Sequence, residues 1–314
     1  MNRRLRKILW GLALLIIIAI LPYYWTSRNL LTLDTVARAK APGAFSELDE
    51  GLIHYKWSGP KTGQVIVLVH GFSTPSFVFD QNASALAEEG FRVLQFDHFG
   101  RGWSDRPDGK YDADFYDLEL IQLIEHLNIE QKIGLVGYSM GGIIAAEFTT
   151  RHPERVSRLC LLAPAGLDVT GSDGAAKHLL NTPVLGDWLW KVFGRSILTN
   201  DLQYDETGLD DAARLQGDVS VQMDYKGYFP ALLSTLRHLG MSGRDDTFSE
   251  LAVTAVPVKA MYGAEDLTVP SSNAEKLKLL IPTAQVSVLN DADHGFPYKR
   301  SNEVNPALIE FFRK

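Results

Sequence analysis

The sequence holds a single cysteine, Cys160, among its 314 residues. One cysteine excludes an intrachain disulfide and any site that needs several cysteines, such as a multi-cysteine zinc or iron–sulfur centre. Cys160 lies within the apolar run Leu159–Leu162, so we expect a buried thiol with a structural role. No histidine or carboxylate spacing typical of a metal site is present, and the sequence predicts neither a metal nor an organic cofactor.

Acidic side chains are missing from the first 30 residues, which carry five basic ones. That segment is therefore about +5, and because the whole chain is −7, the remainder is about −12. An acidic body lacks the basic surface that binds phosphate backbones, which argues against a nucleic-acid partner. Internal repeats are also absent, which excludes a solenoid.

Charged residues are missing again between Ile8 and Trp25. These 18 residues would form about 27 Å of helix, close to the thickness of a bilayer core, and aromatic residues at 23–25 suit its far interface. We expect a retained single-pass transmembrane anchor with a cytoplasmic N-terminus and a non-cytoplasmic catalytic domain, periplasmic in a bacterium. The alternatives are a cleaved signal peptide, for which the residues after the apolar core form a poor cleavage site, and a buried helix.

Apolar runs of strand length alternate with helical patterns after residue 60. The alternation predicts an α/β class with a mostly parallel sheet that is covered by helices, preceded by a hairpin around Asp49–Gly51. The alternation stops between 166 and 253, where apolar residues recur at helical spacing, so we expect an inserted helical cap. The predicted organisation is a basic stub and anchor at 1–29, a juxtamembrane linker at 30–44, a core at 45–165, the cap at 166–253, and the rest of the core at 254–314.

A pentapeptide, Gly137–Gly141, follows the predicted strand that ends at Val136 and begins a helical stretch. Gly-x-Ser-x-Gly between a strand and a helix is typical of a nucleophile elbow, a turn so tight that only small residues fit beside the serine. We therefore interpret Ser139 as a nucleophile rather than as a helix-capping serine. A serine hydroxyl needs a base to remove its proton and an acid to orient that base.

Two loops after later strands offer the acid and the base. Asp266 follows the predicted strand at 258–262, and His294 follows the strand at 285–289. Because the carboxyl ends of parallel strands lie at one edge of a sheet, these loops are expected to meet there.

With these motifs the chain resembles the α/β-hydrolase superfamily over roughly residues 50–314. The matching segments are His70–Phe72, Asp97–Ser104, Gly137–Gly142, Leu162–Gly166, Gly263–Asp266 and His294–Gly295. The resemblance implies an α/β-hydrolase fold with the triad Ser139, Asp266 and His294. It also implies an oxyanion hole made by the backbone N–H groups of Phe72 and Met140. Some superfamily members place the acid after the strand that precedes the cap, which leaves Asp168 as the alternative acid.

Serine at position 139 disfavours the relatives that use an aspartate nucleophile. We expect an acyl ester hydrolase of lipase, esterase or phospholipase A type that works through an acyl-enzyme, because the predicted anchor would hold the cap beside lipid substrates. The whole pattern resembles bacterial membrane-anchored lipases and phospholipases A, and the monoacylglycerol lipase group. His98 is expected at the mouth of the site. Aromatic side chains of the cap are expected to line an acyl tunnel; these are Trp188, Phe193, Tyr228 and Phe229.

Two other functions stay open. One is a carbon–carbon bond hydrolase of the aromatic-degradation type, which shares the sequence Ser-Met-Gly-Gly at 139–142. The predicted membrane segment argues against it. The other is a non-catalytic ligand-binding protein, which the complete triad disfavours. The expected partners are therefore an acyl ester or lipid and a bilayer, and a homodimer is left open.

Overall fold

One β-sheet organises the chain after residue 43 in this computed structural model, which describes residues 3–172, 174–201 and 212–314. The strands are β1 (Ala44–Leu48), β2 (Gly51–Ser58), β3 (Val65–Val69), β4 (Arg92–Phe96), β5 (Ile133–Tyr138), β6 (Val156–Leu162), β7 (Val258–Gly263) and β8 (Gln285–Leu289). Their order in the sheet is β1-β2-β4-β3-β5-β6-β7-β8. β1 and β2 form the predicted antiparallel hairpin, β2 pairs antiparallel with β4, and the remaining pairs are parallel. The predicted α/β class with a mostly parallel sheet is confirmed.

Helices flank this sheet and pack on its strands. Those of the core are α3 (Asp80–Glu88), α4 (Ala113–His126), α5 (Met140–Arg151), α10 (Asp245–Ala252), α11 (Asn273–Leu280), α12 (Phe296–Lys299) and α13 (Ser301–Arg313). Every residue of β3 is buried, although successive side chains of a strand point to opposite faces. Both faces of the sheet are therefore covered at its centre, as in other parallel sheets.

A helical insertion separates β6 from β7. Its helices are α6 (Ala175–Asn181), α7 (Leu185–Asp201), α8 (Ala212–Gln222) and α9 (Tyr228–His238). The described residues between the two strands contain no strand. Residues 173 and 202–211 of the range 166–253, which is predicted to form the cap, lie outside the described residues. α10 falls in the predicted range but packs against α5 of the core.

The N-terminal segment forms α1 (Arg3–Ser27) and lies beside the cap. The Trp188 indole of α7 donates to the carbonyl of Ala19 over 2.6 Å, and the Lys191 ammonium lies 3.8 Å from the centre of the Tyr23 ring. Among the residues that the structure describes, no helix is long and apolar enough to cross a membrane.

This result corrects the predicted single-pass membrane topology with its cytoplasmic N-terminus and non-cytoplasmic catalytic domain. The strictly apolar run from Ile8 to Leu21 has 14 residues, which give about 21 Å of helix, whereas a bilayer core is about 30 Å thick. The predicted span reaches 18 residues only because it includes residues 22–25, which lie beyond the strictly apolar run.

The segment predicted as a linker at 30–44 joins the cap to the core. Leu31 pairs with Tyr225 in an isolated parallel bridge on the cap. A short helix, α2 (Thr35–Arg38), follows, and the Arg38 side chain forms an ion pair with Asp105 and donates to the carbonyl of Trp103 over 3.1 Å. The segment thus contacts both parts of the molecule.

Candidate active site

Ser139 occupies a sharp turn between β5 and α5. Its φ of +53° lies in the left-handed region, which residues other than glycine seldom adopt. Three backbone hydrogen bonds hold it there: its N–H donates to Leu162 over 2.9 Å, and its carbonyl accepts from Gly142 over 2.8 Å and Ala165 over 2.9 Å. The turn is therefore fixed by the loop after β6 as well as by the first turn of α5.

Glycines on both sides of Ser139 let the chain pack this tightly. A Cβ at Gly137 would overlap the carbonyl oxygen of Gly141, and a Cβ at Gly141 would overlap the carbonyl oxygens of Val69 and His70. The N-terminus of α5 therefore lies directly against the end of β3. Small residues at these two positions are a steric requirement of the elbow, as the sequence pattern predicts.

The structure brings Ser139, His294 and Asp266 together in one chain of hydrogen bonds. His294 Nε2 lies 3.0 Å from Ser139 Oγ, and His294 Nδ1 lies 2.7 Å from Asp266 Oδ2. The Asp266 carboxylate is buried, and its Oδ1 accepts two backbone N–H groups over 2.8 Å, from Thr268 and Val269. With all four contacts in place, Nδ1–H donates to the carboxylate and Nε2 faces the serine as an acceptor.

Asp168, the alternative acid, does not reach the histidine. Its carboxylate forms an ion pair with Lys276 of α11, and about half of its side chain is exposed to solvent. The geometry therefore favours Asp266 as the partner of His294.

The loop that carries His294 is held from two sides. The Tyr138 hydroxyl donates to the carbonyl of His294 over 3.0 Å. The two rings also pack in a tilted arrangement with their centres 5.3 Å apart. Asp293 accepts from the Gly295 N–H over 2.9 Å and pairs with Lys299 over 2.6 Å. The imidazole is thus oriented by its own loop as well as by the carboxylate.

The loop after β3 lies against the nucleophile. A Cβ built on Gly71 would be 3.4 Å from the Cβ of Ser139, so the two segments lie within van der Waals contact of each other. Phe72 follows Gly71, and Met140 follows Ser139 as the first residue of α5. The two predicted oxyanion donors therefore belong to the two segments that meet at the serine.

His70 supports this loop from below. Its Nδ1–H donates to the carbonyl of Gly71 over 2.8 Å, and its Nε2 accepts the N–H of His98 over 2.9 Å. Burial, together with the neighbouring His98, lowers the pKa of His70 well below its ordinary value. A neutral imidazole with one donor and one acceptor fits both contacts.

Asp97, at the end of β4, joins the surrounding loops. One oxygen accepts from the backbone N–H and the hydroxyl of Ser76, over 2.9 and 2.6 Å, and the other accepts from His54 over 2.8 Å and from the Trp103 N–H over 3.0 Å. Burial raises the pKa of Asp97, but hydrogen bonds from His54 and Ser76 outweigh this effect, and the pKa lies below its usual range.

His98 is fully buried, which corrects the expectation that it lines the mouth of the site. Its Nδ1 is hydrogen-bonded to Glu119, another fully buried side chain, and its Nε2 has no hydrogen-bonding partner among the described residues. Burial lowers the pKa of His98 well below its ordinary value. The side chain therefore lies beneath the loop after β3, which carries the predicted oxyanion donor Phe72 and is called the oxyanion loop below. It does not face a substrate.

The four cap aromatics expected to line a tunnel divide into two pairs. Trp188 and Phe193 pack on each other on α7, where Trp188 contacts α1 and 48% of Phe193 is exposed. Tyr228 and Phe229 begin α9, and the buried Tyr228 hydroxyl donates to the carbonyl of Ser73 over 2.9 Å. The Trp188 indole is thus directed toward α1, and Phe193 packs on Trp188. That the four aromatic side chains line a tunnel stays a prediction.

Two buried charged side chains near the site were given no role from the sequence. Arg101 lies within the matching segment Asp97–Ser104, and Glu119 lies in the middle of α4. The glycines on both sides of Arg101 indicate an unusual backbone, but no sequence pattern indicates that its guanidinium is buried.

Comparison with known proteins identifies the family of this fold. A family model described as the α/β-hydrolase fold matches residues 64–300. A 2-hydroxymuconate semialdehyde hydrolase of Pseudomonas putida is 30% identical over 234 residues, which cover 73% of this chain and 79% of the relative.

Solved structures with the same fold include a meta-cleavage product hydrolase of Pseudomonas fluorescens IP01, which is 27% identical with a TM-score of 0.67 over 86% of this chain and 97% of the other. A thermophilic esterase of Thermogutta terrifontis is 23% identical with a TM-score of 0.70 over 87% and 98% of the two chains. The family model covers more than half of the sequence, and the chain therefore belongs to the α/β-hydrolase family.

Proposed function

We propose that this α/β hydrolase is a serine hydrolase that cleaves carboxylic esters through an acyl-enzyme. The observation that carries the proposal is the hydrogen-bonded chain from Ser139 through His294 to the buried carboxylate of Asp266. This arrangement supplies a nucleophile, a base within 3.0 Å of it and a group that orients the base.

Each group has a defined part in acylation. Ser139 Oγ attacks the ester carbonyl carbon while its proton moves to His294 Nε2. The carbonyl oxygen becomes an oxyanion that accepts from the N–H groups of Phe72 and Met140, and the positive end of the α5 dipole adds to its stabilisation. The intermediate collapses when the alcohol leaves with the proton held by His294. Water then attacks the acyl-enzyme in the same way, releases the acid and regenerates Ser139.

The ester class is proposed without a preference for lipids. Two premises pointed to lipids: a membrane-spanning anchor, and a tunnel lined by four cap aromatics. The described residues contain no spanning helix, the Trp188 indole contacts α1, and Phe193 packs on Trp188. Tyr228 and Phe229 remain on the cap helix that lies over the oxyanion loop. Because the described residues offer neither a spanning helix nor a contact around Ser139 that calls for a long acyl chain, we expect acyl groups of short or medium length.

A carbon–carbon hydrolase is the second candidate, and the 30% identity with the 2-hydroxymuconate semialdehyde hydrolase favours it. The name of that relative denotes a carboxylate-bearing compound, which a cation would bind well. Arg101, the buried cation beside the oxyanion loop, instead donates to five acceptors of the protein itself. An ester without a negative charge therefore suits the described site better.

Covalent labelling with a fluorophosphonate tests the nucleophile. Wild-type protein is expected to take up one label, and Ser139→Ala to take up none. Ser249→Ala is the matched control, because the Ser249 hydroxyl lies on the exposed face of α10 and donates to the carbonyl of Asp245. Equal labelling of Ser139→Ala and wild type would contradict a serine nucleophile at this position.

Substrate turnover separates the two reactions. The purified protein is offered p-nitrophenyl esters of graded acyl length and, in parallel, a 2-hydroxy-6-oxodienoate ring-fission product. We expect kcat/KM to be highest for a short or medium ester, with little turnover of the ring-fission product. Faster consumption of the ring-fission product would replace ester hydrolysis with carbon–carbon cleavage.

A further inference from the structure

Arg101 is completely buried, yet each of its hydrogen-bonding partners is an uncharged group. Within the described residues it forms no ion pair with a carboxylate. Buried cations are usually paired, because a desolvated charge is costly without a counter-charge. A guanidinium that is retained under these conditions has a geometric use, since it offers five N–H groups in one rigid plane.

Two of the Arg101 donors hold the segments that carry the predicted oxyanion donors. Nε–H donates to the carbonyl of Phe72 over 3.0 Å, and Nη2 lies 3.8 Å from the sulfur of Met140. The guanidinium carbon is also 5.7 Å from the centre of the Phe72 ring, within range of a cation–π contact. Arg101 thus contacts both Phe72 and Met140, the residues whose N–H groups would donate to the oxyanion.

The remaining contacts tie the same guanidinium to cap helix α9 and to α4 of the core. Nη2 donates to the hydroxyl of Thr235 on α9 over 2.9 Å, and Nη1 donates to the Tyr116 hydroxyl over 2.9 Å. Tyr116 and Thr235 are also hydrogen-bonded to each other over 2.8 Å. All of these groups are buried, so the contacts are shielded from water.

The cap helix α9 meets the oxyanion loop at a second point on the same face. Tyr228 precedes Thr235 by seven residues, which is about two helical turns, and donates to the carbonyl of Ser73. Ala231 lies between them and packs on Gly100, where any side chain would overlap it. One face of α9 therefore rests on the loop next to Phe72 and on the loop that carries Arg101.

We propose that Arg101 is a positioning residue that transmits the placement of cap helix α9 to the oxyanion hole. The guanidinium holds the carbonyl of Phe72, and thereby the orientation of the peptide plane beside the Phe72 N–H, only when Thr235 is in place above it. Seating of the cap on a substrate and formation of the oxyanion hole become one event. This inference rests on the proposed serine-hydrolase function.

The test compares kcat and KM of Arg101→Lys and Thr235→Val with wild type on one p-nitrophenyl ester. Rates are expressed per active site, with the sites counted by stoichiometric fluorophosphonate labelling. Loss of a whole oxyanion donor lowers kcat by roughly 10²–10³-fold in comparable hydrolases. Displacement of one donor is therefore expected to lower kcat by about 10- to 100-fold in Arg101→Lys and by about 3- to 10-fold in Thr235→Val. KM and the apparent pKa of the kcat–pH profile should stay unchanged in both.

Arg155→Lys is the matched control. Arg155 donates to the carbonyl of Ile129 over 2.8 Å and precedes β6, so it lies at the edge of the sheet opposite Ser139. It is expected to keep the wild-type kcat. A kcat per active site within two-fold of wild type in Thr235→Val would overturn the proposal, as would a rise in KM that accounts for the whole loss. If Arg101→Lys does not fold, the kcat of Thr235→Val alone tests the proposal, because the valine removes one hydroxyl and keeps the shape of the threonine side chain.

The wild-type arm separates this inference from the proposed function. A wild type that neither labels at Ser139 nor turns over an ester would refute the serine hydrolase itself. A wild type that does both, with Thr235→Val unchanged in kcat, would refute only the role of Arg101 and α9.

Discussion

At the scale of single residues, Asp266 fixes one protonation pattern of His294. Its Oδ1 is occupied by the N–H groups of Thr268 and Val269, so only Oδ2 is left for the histidine. An asparagine at this position must keep its oxygen toward the two N–H groups. Its NH₂ group would then face His294 Nδ1 and force the proton onto Nε2, where it blocks the base.

Asp266→Asn is therefore expected to lower kcat by about 10⁴-fold at neutral pH while the fold is retained. Steady-state ester hydrolysis and far-ultraviolet circular dichroism measure the two quantities. Asp168→Asn is the matched control and should keep the wild-type kcat, because Asp168 pairs with Lys276. A large loss in Asp168→Asn, with Asp266→Asn active, would make Asp168 the acid.

Glu119 is a second residue whose protonation depends on its surroundings. Burial raises its pKa to about 8, although the Phe99 N–H and Arg101 oppose the shift. The folded protein thus holds a proton that the unfolded chain releases above about pH 4.3. The stability from this group is fully present below about pH 4.3 and is lost as the pH rises to about 8.

Glu119→Gln keeps the neutral side chain at every pH, with an oxygen for the Phe99 N–H and an NH₂ group for His98. We expect its Tm to match that of wild type near pH 4.5, to exceed it increasingly up to about pH 8, and to keep a constant difference from there to pH 9. Each 1 kcal/mol of difference corresponds to about 2 °C in a chain of this size. Thermal unfolding from pH 4.5 to 9 measures the trend. A Tm difference that does not change with pH would show that Glu119 is ionised throughout.

The residues that sequence alone could identify are those with a rigid local pattern. Ser139 sits in a turn whose steric limits require glycines on both sides, and Asp266 and His294 follow strands that end at the same edge. Arg101 and Glu119 could not be identified in this way. Their roles depend on burial beneath a loop from another part of the chain, which leaves no periodic signal along the sequence.

At the scale of elements, two helices of the cap face different partners. α7 turns Trp188 toward α1, whereas α9 turns Tyr228 and Thr235 toward the oxyanion loop and Arg101. Both helices show apolar residues at helical spacing. Such spacing identifies a buried face but not the element that buries it.

Trp188→Ala and Phe193→Ala are accordingly expected to keep kcat/KM within about three-fold of wild type for every acyl length, because truncation away from a site removes packing without touching the reacting groups. Tyr228→Phe removes the hydrogen bond to Ser73 and should lower kcat for the same esters. A series of p-nitrophenyl esters measures all three variants. A loss confined to long acyl chains in Trp188→Ala would return this side chain to the substrate path.

Strands were predicted more accurately than the N-terminal helix. The central strands are short, apolar and bounded by loops, and β8 at the edge of the sheet runs from Gln285 to Leu289 as predicted. The helix at the N-terminus was also anticipated, but its environment was not. Hydropathy shows that a helix is apolar, but it does not show which element the helix contacts. The contacts of Ala19 and Tyr23 with α7 depend on the tertiary fold.

At the scale of the whole molecule, the catalytic edge of the sheet, the cap and the N-terminal segment form one connected arrangement. The triad lies at the carboxyl ends of β5, β7 and β8, and α9 rests on the loop beside it. Leu31 pairs with the cap at Tyr225, and Arg38 pairs with the core at Asp105. Family membership follows from this edge and from the matching residues 64–300, while the reaction depends on the groups around Ser139.

The central claim is that one serine carries all of the ester hydrolysis. The most direct measurement titrates the enzyme with substoichiometric fluorophosphonate, records residual p-nitrophenyl ester hydrolysis, and maps the label by peptide mass spectrometry. We predict that activity falls linearly to zero as occupancy reaches one label per chain, with every label on the peptide that contains Ser139. Activity that survives complete labelling, or a label on any other residue, would contradict the account.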